Sequence, residues 1–224
     1  MKLLTISSAS DILSISLTEN EKLIDSVEII GHKSHAENIT SAIYKLLNSK
    51  NIEIVQLEGI AVNLGPGSFT GLRVGLSTAK GLAFGANLKL YAYTNFEELV
   101  YGAIHKYALN GKTSVLIPSR KNEFYFGAFD IKEKKFQQLD KLELMTLEEY
   151  LSHQHNFDFI ITDEKSAQSL TKDISLNKFI IIQNNAYWGA LLVNSNPQKF
   201  LYLDYFYLEP MYLKNFEPKI KTPK

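Results

Sequence analysis

Short runs of alternating hydrophobic and polar residues open the chain, which is the period of β-strands rather than helices. The first polar break, Ser8 to Asp11, has the composition of a tight turn. The runs on either side of it, followed by a third, predict three consecutive antiparallel strands at residues 3–7, 12–17 and 23–30.

From residue 35 the apolar residues recur at a spacing of three and four, which predicts an amphipathic helix over residues 35–47. Ser34, with Glu37 three positions later, has the spacing of a capping box at its start. The pattern then predicts a strand at 57–62, a turn at 64–67, a helix at 69–84, a strand ending at Tyr91 and a helix at 96–109.

The second half repeats this order of elements more loosely. Its runs predict strands at 113–117, 123–131, 136–144, 157–162 and 178–182, a short helix from Leu147 and a helix at 187–193. Mixed strands and helices in two successive series favour an α/β protein of two lobes, which we place at residues 1–108 and 109–224. Residues 209–224 hold three prolines and four lysines and are expected to be irregular, with a tail that returns to the first lobe.

Composition removes several classes of protein. The chain has 224 residues, of which 45% are hydrophobic, so it can fold around a sizeable core. Its 24 basic and 24 acidic residues cancel, which argues against nucleic-acid binding through overall charge. Without cysteine it has no disulfide, no thiolate metal site and no cysteine nucleophile. No apolar run is long enough to span a membrane, so we expect a soluble, cytoplasmic chain.

Residues 65–85 are rich in glycine, but they match neither the P-loop nor the dinucleotide-binding spacing. Small residues instead recur at every fourth position of the predicted helix, and on a helix such positions share one face. Three uses of that face remain open: close packing in the chain's own core, contact with a helix of another chain, or approach of a phosphate to the helix N-terminus. We call these five positions the small-residue stripe: Gly67, Gly71, Gly75, Ala79 and Ala83.

This segment resembles the TsaB (YeaZ) family, a branch of the group that also contains the TsaD/Kae1 proteins. Other segments agree in order and spacing along nearly the whole chain. Residues 3–8 are similar to the family's opening strand, and His35-Ala36-Glu37 resembles its His-Ser-Glu helix start. Residues 119–125 are similar to its Asp-Ala-Arg-x-x-Glu-Val-Tyr pattern, and residues 209–214 resemble its closing Pro-x-Tyr-Leu-Arg.

The resemblance implies an actin-like (ASKHA, ribonuclease H-like) fold of two lobes. It also implies a role in making N6-threonylcarbamoyladenosine in tRNA, as the noncatalytic partner of a TsaD-like transferase that a TsaE-like ATPase joins. By this resemblance the chain is expected to hold no cofactor or metal of its own, and to bind a nucleotide only at the interface with its partner. It is expected to contact tRNA only through the complex. Alone, it is expected to form a homodimer.

In this family the first two helices form the bundle that docks on TsaD. The corresponding helices here are predicted at residues 35–47 and 69–84. The resemblance therefore gives the small-residue stripe a purpose as the place where helices of two chains meet. The implied interface consists of His35, Ile39, Ile43, Gly67, Gly71, Gly75, Ala79 and Ala83.

The alternative function is a stand-alone enzyme, either ATP-dependent or peptidase-like. An actin-like catalyst needs a carboxylate in the first hairpin, where this chain has Ser7 and the family commonly has aspartate. A serine lacks the negative charge that a Mg²⁺ site requires. The nearest acid along the chain, Asp11, lies beyond the turn.

The histidines and surface charges give little further indication of a metal or binding site. His32 and His35 are three residues apart, with the first predicted to lie before the helix, and we interpret both as loop or capping residues. His153 and His155 lie in a polar loop. Arg120 could hold a phosphate or a carboxylate, but we favour its interpretation as part of an ion pair between hairpin strands. A set of lysines near the end could touch tRNA or a partner but is more typical of a frayed tail; it comprises Lys214, Lys219, Lys221 and Lys224.

Overall fold

A computed structural model describes residues 1–31, 35–120, 122–153, 156–170, 174 and 178–213. Its strands are β1 (Lys2–Ser7), β2 (Ile12–Glu19), β3 (Lys22–Ile30), β4 (Gly59–Asn63), β5 (Lys89–Tyr93), β6 (Gly111–Arg120), β7 (Glu123–Lys132), β8 (Lys135–Gln138), β9 (Glu143–Thr146), β10 (Phe159–Thr162), β11 (Phe179–Ile181) and β12 (Leu201–Tyr202). Its helices are α1 (His35–Ser49), α2 (Phe69–Gly85), α3 (Asn95–Tyr107), α4 (Leu147–His153), α5 (Glu164–Leu170), α6 (Ala186–Ser195) and α7 (Pro197–Phe200).

The alternating runs at the start of the chain form the antiparallel meander β1-β2-β3, as predicted. Strands β4 and β5 extend this sheet in parallel on the other side of β1, so the order is β3-β2-β1-β4-β5, with β12 at the far edge. Each parallel step is made through a helix, since a parallel pair cannot be joined by a tight turn. Helix α1 makes the step from the meander to β4, and α2 the step from β4 to β5.

The second sheet repeats this topology. Strands β6, β7 and β8 are antiparallel, while β10 and β11 run parallel to β6, which gives the order β8-β7-β6-β10-β11. The same strand order thus occurs in both sheets. This is the two-lobe α/β architecture that the sequence predicted, and the actin-like fold class is confirmed. The predicted division at residue 108 stays a prediction, while α6 and β12 lie on the first sheet.

The prediction of a single strand over residues 136–144 is wrong. Strands β8 and β9 pair with different halves of β7, and the chain leaves the sheet between them. Leu142 lies over Gly127 in the middle of β7, where a side chain on the glycine would overlap it. The interruption therefore accompanies the packing of an apolar side chain over the glycine on the face of β7. Helix α5 was not predicted.

Helices and sheets alternate through the molecule. Helices α1 and α2 cover one face of the first sheet and bury its largest apolar cluster. Helix α6 covers the other face, and α3 lies between α6 and the second sheet. A third cluster, around Tyr150 and Leu170, lies on the outer face of the second sheet. Among the residues described, no helix is long and apolar enough to span a membrane.

Candidate functional site

Polar side chains meet where β1 and β4 end, in the layer between the two sheets. Both strands run parallel and finish side by side at Ser7 and Asn63, and both residues are fully buried. The Asn63 amide donates to Ser7 Oγ over 3.3 Å. Because the carboxyl ends of parallel strands share one edge of the sheet, this is the place at which α/β folds position ligands and catalytic groups.

Glu98 fills this position from the first turns of α3. It is fully buried and accepts four hydrogen bonds, from Ser7 Oγ at 3.1 Å, Asn63 Nδ2 at 2.9 Å, Asn184 Nδ2 at 2.8 Å and the Asn185 backbone N–H at 2.9 Å. The donors come from β1, β4 and the segment that leads into α6. One carboxyl group thus connects three separate parts of the chain to α3.

Asn95 completes the cluster one helical turn before Glu98. Its amide donates to the Pro66 carbonyl over 3.0 Å, and its oxygen accepts from Asn63 and Asn184. The amide groups therefore hold one another as well as the carboxyl group. We call this group the polar centre; it consists of Ser7, Asn63, Asn95, Glu98 and Asn184.

Burial raises the pKa of Glu98 above its ordinary value, against the opposing effect of its hydrogen-bond donors. The Tyr93 hydroxyl is buried close by. Burial and then the charge of Glu98 raise the pKa of Tyr93 well above its usual value. The polar centre is therefore an environment in which loss of a proton is unfavourable.

This shift predicts a pH dependence of stability. A carboxyl group whose pKa is higher in the folded than in the unfolded chain contributes stability that is fully present below its unfolded pKa, about 4.3, and is lost as the pH rises through its folded pKa. The free energy of unfolding of the native chain is therefore expected to fall relative to that of E98Q, which does not titrate, as the pH rises from about 4.3 towards neutrality. Urea unfolding of both chains across this range measures the difference; a native chain that gained stability relative to E98Q would contradict it.

The site chemistry differs from what the sequence indicated. Asp11, the nearest acid along the chain, is exposed beyond the β1–β2 turn, whereas Glu98 reaches Ser7 from 91 residues away. Both oxygens of Glu98 are already occupied by donors. The carboxyl group is thus engaged as a structural acceptor. Among the described residues, no three histidine, aspartate or glutamate side chains form a group that could hold a metal.

Sequence reasoning missed Glu98 and its three asparagines. One signal was present: Asn95, Glu98 and Gly102 share the face of α3 that otherwise carries buried apolar residues. An acid on a buried helix face requires partners, and asparagines shortly after predicted strands are candidates for them. The pairing across 86 residues between Glu98 and Asn184 depends on the tertiary fold and leaves no local pattern.

The first three positions of the small-residue stripe lie against the chain's own β1–β2 turn, and Ala79 and Ala83 lie in the core beneath α2. A methyl group on Gly67 would overlap the Ala9 carbonyl, and one on Gly71 would overlap the Ser8 carbonyl. The contact is hydrogen-bonded as well: Ser8 Oγ donates to the Gly71 carbonyl over 2.8 Å, and the Ser68 N–H donates to the Ala9 carbonyl over 2.7 Å. The stripe therefore lets the helix backbone approach the turn closely.

The predicted interface positions stay a prediction, and the structure gives their surroundings within the chain. The stripe positions from 71 to 83 are buried, Gly67 is half-buried against Ala9, and Ile39 and Ile43 are buried in the core between α1 and the first sheet. His35 begins α1, and its side chain lies outside the described residues. The outer faces of these helices carry the exposed side chains of Tyr44 and Phe84.

Other predicted residues lie apart from the polar centre. Arg120 pairs in register with Glu123 across the β6–β7 hairpin. Tyr212 packs on Phe69 of α2 with ring centroids 5.3 Å apart. Several named residues lie outside the described residues, or have side chains outside them: Ser34, His32, His153, His155, Lys214, Lys219, Lys221 and Lys224.

Comparison with protein families gives one match that covers most of the chain. Residues 28–186 match the family model described as "TsaD: tRNA N6-adenosine threonylcarbamoyltransferase". That range includes α1, α2, α3 and both asparagines that precede α6. The polar centre is thus inside the matched region except for Ser7.

Individual relatives carry the TsaB name. The chain is 30% identical over 131 residues to tRNA threonylcarbamoyladenosine biosynthesis protein TsaB of Escherichia coli, covering 58% of this chain and 55% of that protein. It is 26% identical over 181 residues to the Bacillus subtilis protein of the same name, covering 81% and 75%. The match therefore spans only about half the length of the first of these relatives.

Solved structures agree in fold. A Pseudomonas aeruginosa protein described as similar to peptidase YEAZ superimposes with a TM-score of 0.79 at 17% identity, covering 95% of this chain and 99% of that one. YeaZ from the same species gives 0.76 at 15% identity, with the same coverage. At such identities the likeness establishes the shared architecture.

Proposed function

Since this chain belongs to the TsaB (YeaZ) branch of the family described as TsaD, tRNA N6-adenosine threonylcarbamoyltransferase, we propose that it takes part in tRNA threonylcarbamoyladenosine biosynthesis. Its proposed part is that of a noncatalytic subunit that binds and supports a TsaD-like transferase. The relatives' names supply the pathway; the assignment of a supporting rather than a catalytic role rests on the site.

The observation that carries this role is the state of the polar centre. The edge of the sheet at which an actin-like fold would act is filled by a carboxyl group and amides that hydrogen-bond one another. Glu98 has no exposed surface, and its oxygens accept from four donors. A group in this state stabilises the junction between the sheets, and a substrate would have to replace it to reach that edge.

The outer faces of α1 and α2 are the proposed surface for the transferase. Tyr44 on α1 is 69% exposed and Phe84 on α2 is 67% exposed, although both helices bury their opposite faces in the first core. Large aromatic side chains are enriched among the residues that contribute most of the binding energy in protein interfaces. Two adjacent helices with such residues offer a two-helix face to a partner of similar construction.

The remaining parts of the proposal concern other partners. We propose that a TsaE-like ATPase joins the pair, that tRNA is contacted through the complex, and that the chain forms a homodimer through α1 and α2 when it is alone. No cofactor is proposed for the isolated chain, and a nucleotide would bind only at the interface with the transferase. We propose a cytoplasmic location, which is consistent with a role in tRNA modification.

Complex formation tests the proposal directly. The purified chain mixed with a TsaD-like subunit from the same organism is expected to elute as a heterodimer in size-exclusion chromatography with light scattering. The variant Tyr44→Ala should weaken the affinity by about tenfold, because an aromatic residue central to an interface commonly contributes at that level. Isothermal titration calorimetry gives the two dissociation constants.

The matched control is Tyr107→Ala, which removes another exposed tyrosine from the end of α3. Its affinity should equal that of the native chain. Absence of a complex with the native chain would refute the proposed function. Magnesium-dependent ATP turnover by the isolated chain would instead favour the stand-alone enzyme.

A further inference from the structure

A segment near the end of the described chain crosses the outer face of α2. At the first turn of the helix, Tyr212 lies against Phe69, and at its last turn Phe206 lies against Phe84 with ring centroids 5.7 Å apart. The segment therefore runs antiparallel to the helix over most of its length. We call residues 205–212 the strap.

Inward-facing residues anchor the strap to the body of the protein. Tyr205 and Leu208 pack against the core that α2 forms with the first sheet, and the Met211 N–H donates to the Leu64 carbonyl over 2.8 Å. A short 3-10 turn, Tyr205–Tyr207, brings the chain into place. The strap is thus a part of the folded lobe with one side turned to solvent.

Both charged side chains of α2 bind the strap. The helix contains Arg73, Lys80 and no acid. Arg73 Nε donates to Tyr212 Oη over 3.0 Å, and Lys80 Nζ donates to the Phe206 carbonyl over 2.8 Å. The guanidinium of Arg73 also lies 3.9 Å from the centre of the Phe69 ring. Both cationic side chains of α2 therefore already donate hydrogen bonds to the strap.

Three aromatic rings are left to solvent where the strap meets the end of α2. Phe206 is 63% exposed and Tyr207 is 85% exposed, beside Phe84 at the end of α2. We call Phe84, Phe206 and Tyr207 the aromatic patch. An RNA backbone would require cations that are not already bound, and the only charged residue of the strap is the acid Glu209. An apolar protein face matches this surface better.

We infer that the strap and the C-terminal end of α2 form one composite docking surface, on which the aromatic patch receives an uncharged apolar face of the partner protein. The inference rests on the proposed function for the partner's identity, a TsaD-like transferase. It adds that the partner contacts two segments that are distant in sequence. It also adds that the strap stays on α2 in the complex and contributes contacts to the interface.

The test is a binding series with the full chain and a TsaD-like subunit from the same organism. The double variant F206A/Y207A removes the strap's outward rings and leaves the inward anchors Tyr205 and Leu208 unchanged. The affinity of the transferase is expected to fall by about tenfold or more, as loss of two interface aromatics commonly does. Thermal unfolding of the variant should match that of the native chain, because both side chains are mostly exposed.

Leu139→Ala is the control, since it truncates an exposed apolar residue beside the second sheet. Its affinity should be unchanged. Tighter binding by F206A/Y207A would show that the strap is a cover that the partner displaces, and unchanged binding would show that it lies outside the interface; either overturns the inference while a native complex still supports the proposed function. A selective loss of tRNA binding would assign the patch to RNA and also overturn it.

Discussion

Replacing Glu98 with alanine is expected to lower the free energy of unfolding at neutral pH by about 4 kcal/mol. The substitution removes the acceptor of four buried donors at once, from Ser7, Asn63, Asn184 and Asn185. Each buried donor left without a partner costs about 1–3 kcal/mol, and water entering the space recovers part of this. Equilibrium unfolding in urea, followed by circular dichroism, measures the effect.

Two further variants make this result specific to the polar centre. E98Q keeps the shape and one acceptor oxygen but places an amide among donors, so we expect an intermediate loss of about 1–2 kcal/mol. Glu143→Ala removes an exposed acid from β9 and should change the free energy of unfolding by less than about 0.5 kcal/mol. If E98A were as stable as Glu143→Ala, the polar centre would not hold the lobes together.

Much of the architecture could be predicted because each element has its own local pattern. Alternation specified the meander β1-β2-β3, and the three-and-four spacing specified α1 and α3 to within two residues. The break between β8 and β9 could not be predicted, since residues 136–144 are compatible with one strand until Leu142 packs over Gly127. That contact is decided by the neighbouring strand, which the local pattern does not contain.

The candidate site could be predicted only where one segment holds all of its residues. The small-residue stripe is such a segment, and four of its five positions do share one helix face, while Gly67 precedes the helix. What it touches was left open, because a glycine face is equally suited to a turn of its own chain and to another protein. The polar centre is the opposite case. No single segment shows a pattern that marks its residues, and they form a site only because the fold brings Asn63, Glu98 and Asn184 into hydrogen-bond contact.

The second large effect is expected from alanine at Gly71. The new methyl group would overlap the Ser8 carbonyl, which belongs to the backbone of the β1–β2 turn and cannot move without disturbing β1 and β2. Overpacking of this kind costs about 1–3 kcal/mol or more, which exceeds the gain of about 1 kcal/mol that alanine brings to a helix. We therefore expect a net loss of about 2 kcal/mol in the free energy of unfolding.

The same helix provides the matched control. A methyl group on Gly81 meets nothing within 4 Å, so Gly81→Ala should stabilise the chain by about 1 kcal/mol through helix propensity alone. The two glycine-to-alanine variants are thus expected to shift the urea midpoint in opposite directions. If both stabilised the chain, the contact between α2 and the turn would be absent. If Gly71→Ala kept its stability but lost the transferase, the stripe would be the interface after all, because only contact with another chain would then explain the cost of a side chain at this position.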